Sequence, residues 1–345
     1  MTNVNDDTKL IITPTDMSRA DGVRRFTNSE IQTFKRCRRK WYFAYYRKLI
    51  PVQASFVGVM QIGNRIHKAL QYHYGTQIPG STQHIDASTA LEHLIEHDRD
   101  AMLEHHIEDD DVVEQFSVEA DLERVMMRGY LEWLAETGDD ANYTIIAAED
   151  YREAQIRCFV RGVTHYVKII ARLDLRVQRD SDGAILFLDH KTTNSFETLM
   201  RALPMNEQML WYILIEYISE EKNHVNGALY NMIRRTKRTA RAKPPFYARY
   251  SVYHNETELL AFLMRTQGVI GSIIEATNGL DMDIDHRLVA YPTPTNDCTW
   301  SCPFYTACKL TDDGSYAEGL LRNNFYVGDP LHYYASDDMR IIDHD

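Results

Sequence analysis

The chain has 345 residues, 44% of them hydrophobic and 26% charged, with a formal net charge of -12. That balance suits one elaborated globular domain or two, and it excludes fibrous and wholly disordered classes. The longest apolar run lies within MLWYILI, 209–215, far short of the ~20 residues a membrane span needs; the polar opening MTNVNDDTKL has no signal-peptide character, so no membrane partner and a cytoplasmic location are expected.

Residues 1–24 are polar and patternless and read as a loose tail. The first helix is expected in TNSEIQTFKRCRRKWYFAYY, with Thr27 and Glu30 as a capping box and Ile31, Phe34, Cys37, Trp41 and Tyr45 on an apolar face. This stretch is basic: Arg24 to Lys48 holds nine basic residues against Glu30 alone. A second helix carries GNRIHKALQYHYG, and 76–140 reads as an acidic helical lobe. Within it, Asp86 to Asp140 holds 18 acidic and 3 basic residues, arranged as two helices and a loop.

From 141 to 255 the period changes from helical to alternating, which predicts a sheet core. Its strands are YTIIAAED, QIRCFVRGV, HYVKIIARLDLRVQ, AILFLDHKT, VNGALYNMI and FYARYSVYH, with a helix at NEQMLWYILIEYI. A helix near 256–275 opens a C-terminal segment running to 310, and 311–345 reads as an acidic tail. Helix, mixed sheet, helix is an α/β or α+β architecture, one domain over 25–310 with a helical lobe.

AILFLDHKT runs as a buried strand and then presents Asp189, His190 and Lys191. Strand alternation puts Asp189 and Lys191 on one face and His190 on the other. The turn RDSDG joins this strand to IIARLDLRVQ, and a turn centred on Ser181 and Asp182 makes paired residue numbers sum to 363. Asp174 then lies opposite Asp189, and Arg172 opposite Lys191. Opposed carboxylates about 5 Å apart repel unless a cation stands between them. The alternative for D-x-K alone is a frayed strand end with a surface ion pair.

Further on, RRTKRTARAK at 234–243 holds six basic residues, Arg234, Arg235, Lys237, Arg238, Arg241 and Lys243, with Tyr230, Phe246 and Tyr247 nearby. Cations interleaved with aromatics suit a single nucleic-acid strand, and a solvated hairpin loop is the alternative. Cys298, Cys302 and Cys308 in DCTWSCPFYTAC form a metal-ligating series in need of a fourth member, whereas Cys158 falls inside a strand as an ordinary core residue.

Asp174 followed by Asp189-x-Lys191 at a hairpin end resembles the PD-(D/E)XK nuclease superfamily, with its restriction-endonuclease-like core. Gly63 and His67 match the G-x-x-x-H helix of its RecB-like branch, Gln208 and Tyr212 match its Q-x-x-x-Y, and Glu149 resembles the acid on the preceding strand. The opening FTNSEIQTFKRCRRKWYF and the closing cysteines resemble the iron-sulfur subset, which includes CRISPR-associated adaptation nucleases, the AddB nuclease domain and phage-encoded exonucleases. The resemblance implies Mg²⁺ or Mn²⁺ on His67, Asp174, Asp189 and the His190 backbone carbonyl. Lys191 would then act beside the attacking water, and Glu149, Gln208 and Tyr212 would complete the catalytic set. It also implies a 4Fe-4S cluster on Cys37, Cys298, Cys302 and Cys308, with zinc as the alternative at those thiols.

The expectation is therefore a metal-dependent DNA exonuclease acting on single-stranded DNA or free ends in recombination, replication or repair. Its acidic lobe would be available to a recombination or replication protein, and its compartment would be the host cytoplasm if a phage encodes it. The alternatives are a non-catalytic DNA-binding adaptor that keeps the fold, and a CRISPR spacer-acquisition nuclease.

Overall fold

The computed structural model describes residues 21–335, apart from 53–54, 79, 82–84, 108 and 220–224. The expected tail at 1–24 thus lies almost wholly outside the described residues. In chain order, β1 (Arg25–Thr27), α1 (Asn28–Arg36), α2 (Arg38–Trp41), a π-helical turn at Tyr42–Tyr46 and β2 (Leu49–Pro51) precede α3 (Val59–Gly75), α4 (Ala87–Glu104) and α5 (Asp110–Thr137). Next come β3 (Tyr143–Val160), β4 (Val163–Arg179), β5 (Ile185–Thr193), α6 (Phe196–Ala202), α7 (Glu207–Ile218), β6 (Val225–Arg234) and β7 (Tyr247–Val252). The C-terminal part holds α8 (Glu256–Asp281), α9 (His286–Val289), α10 (Cys298–Ser301), α11 (Tyr305–Asp313), α12 (Ala317–Asn324), β8 (Phe325–Val327) and α13 (His332–Ala335). Packing divides the chain into two compact units. One is drawn from the described residues up to 52, Gln155–Ile170 and the segment from Phe262 onward, the other from Ser55–Ala154 and Ala171–Ala261.

The second unit is a mixed sheet between helices, as the change of period predicts. Its strands run in the order β4, β5, β6, β7, with β5 antiparallel to β4 but parallel to β6, and β7 antiparallel to β6. A parallel pair needs a crossover, which α6 and α7 supply. Alternation sorts the two faces: Leu175, Val177, Leu186, Leu188, Leu229 and Ile233 pack toward α3, α4 and α5. Ala228, Tyr230, Met232 and Val252 pack with Leu203 and Met209 on the other side. The acidic helices fold in spite of their charge because Arg65, buried on α3, donates to Glu123 at 2.8 Å and to Asp98 at 2.7 Å.

The β4–β5 hairpin keeps the expected register. Leu175 pairs with Leu188, Arg176 with Phe187, Val177 with Leu186 and Gln178 with Ile185, every pair summing to 363. The turn closes through Arg179 N–H donating to Ala184 O at 2.9 Å, and Gly183 absorbs the reversal at φ +72°.

In the first unit β1 lies parallel to the early part of β4, Phe26 beside Ile169, and β2 pairs antiparallel with β8, Ile50 opposite Tyr326. Phe43, Leu49, Phe304, Ala307, Leu321 and Phe325 form its small apolar core. By length and composition alone α8 could cross a membrane. Its Ile270 and Ile273 are fully buried, so one face of it packs into the unit.

Four expectations need correction. The first helix is not continuous: Cys37 is extended at φ -159°, ψ 111° and separates α1 from α2. The break goes with contacts to a segment distant in sequence: Arg39 N–H donates to Tyr291 O at 3.2 Å and the buried Arg39 side chain to Ala290 O at 2.8 Å, bonds directed out of the helix. Thr27 caps α1 by accepting from Glu30 N–H at 3.1 Å, but the Glu30 carboxylate takes Trp41 and Arg24 as donors, not the reciprocal bond of a capping box. The strands expected at YTIIAAED and QIRCFVRGV are one strand, β3, kinked at Glu149 where φ is +50°. Residues 317–327, expected within an acidic tail, form α12 and β8 because Leu321 and Phe325 supply core to the first unit.

Candidate active site and cysteine cavity

Lys191 reaches Asp189 with Nζ 2.6 Å from Oδ2 and donates to Gln208 Oε1 at 3.0 Å. The Gln208 amide nitrogen turns to Tyr212 OH at 2.8 Å and to Asp189 Oδ1 at 3.4 Å. Helical spacing puts Gln208 and Tyr212 on one side of α7, and strand spacing puts Asp189 and Lys191 on the sheet face that side covers. The four form one hydrogen-bonded patch. Burial raises the Asp189 carboxyl above its ordinary range against the pull of Lys191.

Asp174 follows the same register to a place across from Asp189. Its Oδ2 accepts the His190 backbone N–H at 3.0 Å and lies 3.3 Å from His67 Nδ1. Burial pushes the Asp174 carboxyl up, but His67 outweighs it and holds the group below the usual carboxylate range. Desolvation opposes a proton on His67, and Asp174 beside it raises its pKa all the same. Each carboxylate of the opposed pair therefore has its own basic partner, Lys191 for Asp189 and His67 for Asp174.

The His190 side chain points to the other face, as alternation requires, and meets residues that the sequence reading missed. Its Nδ1 is 2.8 Å from Asn231 Nδ2, which also donates to Tyr130 OH at 2.9 Å. The Tyr130 and Tyr74 hydroxyls are 2.6 Å apart, the Tyr74 ring stacks on His190 at 5.5 Å, and Arg249 donates to Tyr74 OH at 3.2 Å and pairs with Asp140. Burial drives the His190 pKa down to about 3, so the ring is neutral. Nothing local in the sequence marks this network: Tyr74 and Tyr130 sit among apolar residues of α3 and α5 and read as ordinary core.

A family model described as the PD-(D/E)XK nuclease superfamily matches residues 25–309, most of the chain. The chain belongs to the PD-(D/E)XK nuclease superfamily. Its mixed sheet between helices is the restriction-endonuclease-like core of that superfamily. The crystal structure of SSO0001 is similar at 16% identity, covering 61% of this chain and 80% of that one at a TM-score of 0.27. No curated protein matches.

Nucleases of the PD-(D/E)XK superfamily generally use Mg²⁺ or Mn²⁺. The donors here are of the right kind, two carboxylates and an imidazole, hard ligands suited to such ions. Among the described residues no three His, Cys, Asp or Glu side chains are assembled around a single ion position. Asp189 is turned to Lys191 and Asp174 to His67. Glu149 stands at the kink of β3, half-buried, in a left-handed conformation.

The basic loop of this PD-(D/E)XK protein divides by role. Arg234 donates to Asn194 O at 3.3 Å and to Lys243 O at 3.0 Å, so it holds the loop to the end of β5. Arg238 pairs with Glu132 and lies against Gly129, where an added Cβ would fall 2.6 Å from its guanidinium carbon. Lys237, Arg241 and Lys243 are exposed, and Arg235 is partly buried with its backbone N–H on Thr193 O at 2.8 Å.

In the first unit, Cys37, Cys298, Cys302 and Cys308 line one cavity of about 190 Å³, together with Arg39, Lys40, Phe43 and Phe304. All four are free thiols. The break at Cys37 is what turns its sulfur there, where it also accepts the Lys40 N–H at 3.5 Å and caps α2. Burial pushes the Cys308 thiol up to about 11 and raises Cys302 as well. Cys158 is buried in β3 away from this set, as expected.

Proposed function

We propose that the protein is a Mg²⁺- or Mn²⁺-dependent deoxyribonuclease of the RecB-like, iron-sulfur branch, acting as an exonuclease on DNA ends in recombination, replication or repair. The observation that carries this reading is the Lys191 ammonium, 2.6 Å from Asp189 and 3.0 Å from Gln208. A phosphodiester is anionic, so its hydrolysis requires charge neutralisation and an activated water. A divalent ion held by His67, Asp174, Asp189 and the His190 backbone carbonyl would polarise the phosphoryl oxygen and acidify a bound water. Lys191 faces the negative charge that develops at phosphorus and stabilises it. Gln208 fixes the ammonium, Tyr212 fixes Gln208, and Glu149 is the remaining acid assigned to the set.

The cysteine cavity supports a 4Fe-4S cluster in preference to zinc. Zinc modules more often use paired C-x-x-C knuckles, whereas here one distant cysteine, Cys37, joins the trio Cys298, Cys302 and Cys308 at one cavity. DNA is the proposed partner through Arg235, Lys237, Arg241 and Lys243. The acidic lobe is proposed to receive a recombination or replication protein, and the cytoplasm, the host's if a phage encodes the chain, is the proposed compartment. Incubating end-labelled single- and double-stranded DNA with the protein and Mg²⁺ or Mn²⁺ tests the reading. Short products released from the ends are expected. DNA binding without any cleavage in either metal would make the chain an adaptor that retains the fold.

A further inference from the structure

The sheet face opposite Lys191 carries a buried chain of polar side chains, the His190 ring, Asn231, Tyr130 and Tyr74, that the proposed chemistry does not use. It is joined to the metal site through Asp174, on the Lys191 face, whose Oδ2 takes the His190 backbone N–H at 3.0 Å. A side-chain carboxylate is thus the acceptor for the amide one residue beyond Asp189, and any movement of residue 190 moves Asp174 with it. His190 in turn is fixed from its side chain. Asn231 stands directly across from it in the parallel β5–β6 register and donates to Nδ1 at 2.8 Å, and the Tyr74 ring covers it at 5.5 Å.

Because Asn231 donates to Nδ1, the neutral ring carries its proton on Nε2, and one tautomer is selected. Asn231 is itself fully buried and held by Tyr130, 2.9 Å from its amide, and Tyr130 by Tyr74 at 2.6 Å. Arg249, paired with Asp140, closes the chain at its outer end. His190 Nε2 and Asn231 Oδ1 have no hydrogen-bond partner among the described residues, so the chain is held by its bonds from His190 Nδ1 through Asn231 and Tyr130 to Tyr74.

We infer that Asn231 is a positioning residue for the metal-binding carboxylates, acting through His190 on Asp174, with Tyr130 as its support. Neither residue touches the reacting groups; both set where the Asp174 oxygens stand. The inference rests on the nuclease reading, since it is Asp174 and Asp189 that are asked to hold the ion. Outer partners of metal ligands of this kind change metal affinity by about 10–100-fold when removed.

The test is Mn²⁺ binding to the full chain by titration calorimetry, with DNA cleavage measured in parallel. Asn231→Leu, similar in size but unable to donate, is expected to weaken Mn²⁺ binding about tenfold and to lower kcat with KM for DNA unchanged. Tyr130→Phe keeps the packing, removes one hydroxyl, and is expected to give a smaller loss in the same direction. The deciding measurement is coupling. In a His190→Ala background Asn231→Leu should weaken the metal no further, whereas a merely structural Asn231 would add its cost in full. Unchanged Mn²⁺ affinity in a folded Asn231→Leu, or additive losses in the double variant, overturns the inference. Absence of Mn²⁺ binding in the wild-type protein would instead overturn the nuclease reading, so the two failures are separable.

Discussion

The sheet site and the cysteine cavity differ in how their groups are kept in place before anything binds. At the sheet site the charged groups already satisfy one another: Asp189 has Lys191, Asp174 has His67, and Gln208 bridges to Tyr212. In the cavity four free thiols face a space, brought there by stretches nearly the whole chain apart. A site whose charges are paired internally keeps its shape when empty, because removing any occupant leaves no naked charge. Thiols around a cavity have no such internal partner, and the metal centre proposed for them would tie the first helices to the C-terminal segment, a closure the second unit does not need.

The largest effect expected tests the first half of that contrast. Asp189→Ala and Lys191→Ala should each lower kcat by about 100- to 1000-fold, the usual cost of losing a group that meets transition-state charge. DNA affinity, measured by fluorescence anisotropy, should change little. Near-normal cleavage by either purified variant would remove the site from this sheet. Next comes the cavity. Protein purified without oxygen should be brown, with iron and sulfide near one cluster per chain. Cys37→Ser should strip the metal and open the first unit to protease, while Cys158→Ser should do neither. A full iron complement in Cys37→Ser would show that this thiol is no ligand.

A smaller effect separates the cations of the basic loop. Neutralising Lys237, Arg241 and Lys243 should flatten the salt dependence of single-strand binding by about 0.7 in log-log slope per charge. Arg234→Ala should instead loosen the loop, since its donors serve backbone carbonyls; an unchanged slope in the triple variant would leave the loop without a DNA role. The smallest effect concerns His190. Its folded pKa of about 3 lies below the ordinary 6.5, so between those values the unfolded chain binds a proton that the native chain refuses. Stability of the metal-free protein should therefore fall as pH drops from 6.5 toward 3, by about 1.4 kcal/mol per unit from this group. Urea unfolding of His190→Gln at pH 6.5 and 5.5 should show that share of the slope gone; equal slopes would mean the ring is protonated in the fold.

Much of this was legible in the sequence where the signal was local and periodic. Alternation through ILFLDHKT with a short polar turn was enough to set the register, and with it Asp174 across from Asp189. Spacing likewise put Gln208 and Tyr212 together on α7. The break at Cys37 was not legible, because it goes with bonds to carbonyls at 290 and 291, far along the chain. Nor was the Asn231–Tyr130–Tyr74 network: each member looks like ordinary core until the sheet register and two helices bring them together. β8 was missed for a related reason, since three residues carry too little period to be seen without their partner β2.

The pairing of β2 with β8 has a consequence for biosynthesis. Leu49 to Pro51 leave the ribosome long before Phe325 to Val327 exist. At about 5–20 residues per second the early strand waits tens of seconds for its neighbour. The second unit lies almost wholly between the two and is free to fold in that interval. During it Cys37 stands without Cys298, Cys302 or Cys308, so a centre that needs all four thiols is completed only after those are made. A message cut short before codon 325 would yield a sheet unit beside an open strand edge and unclosed thiols, a product for the quality-control proteases.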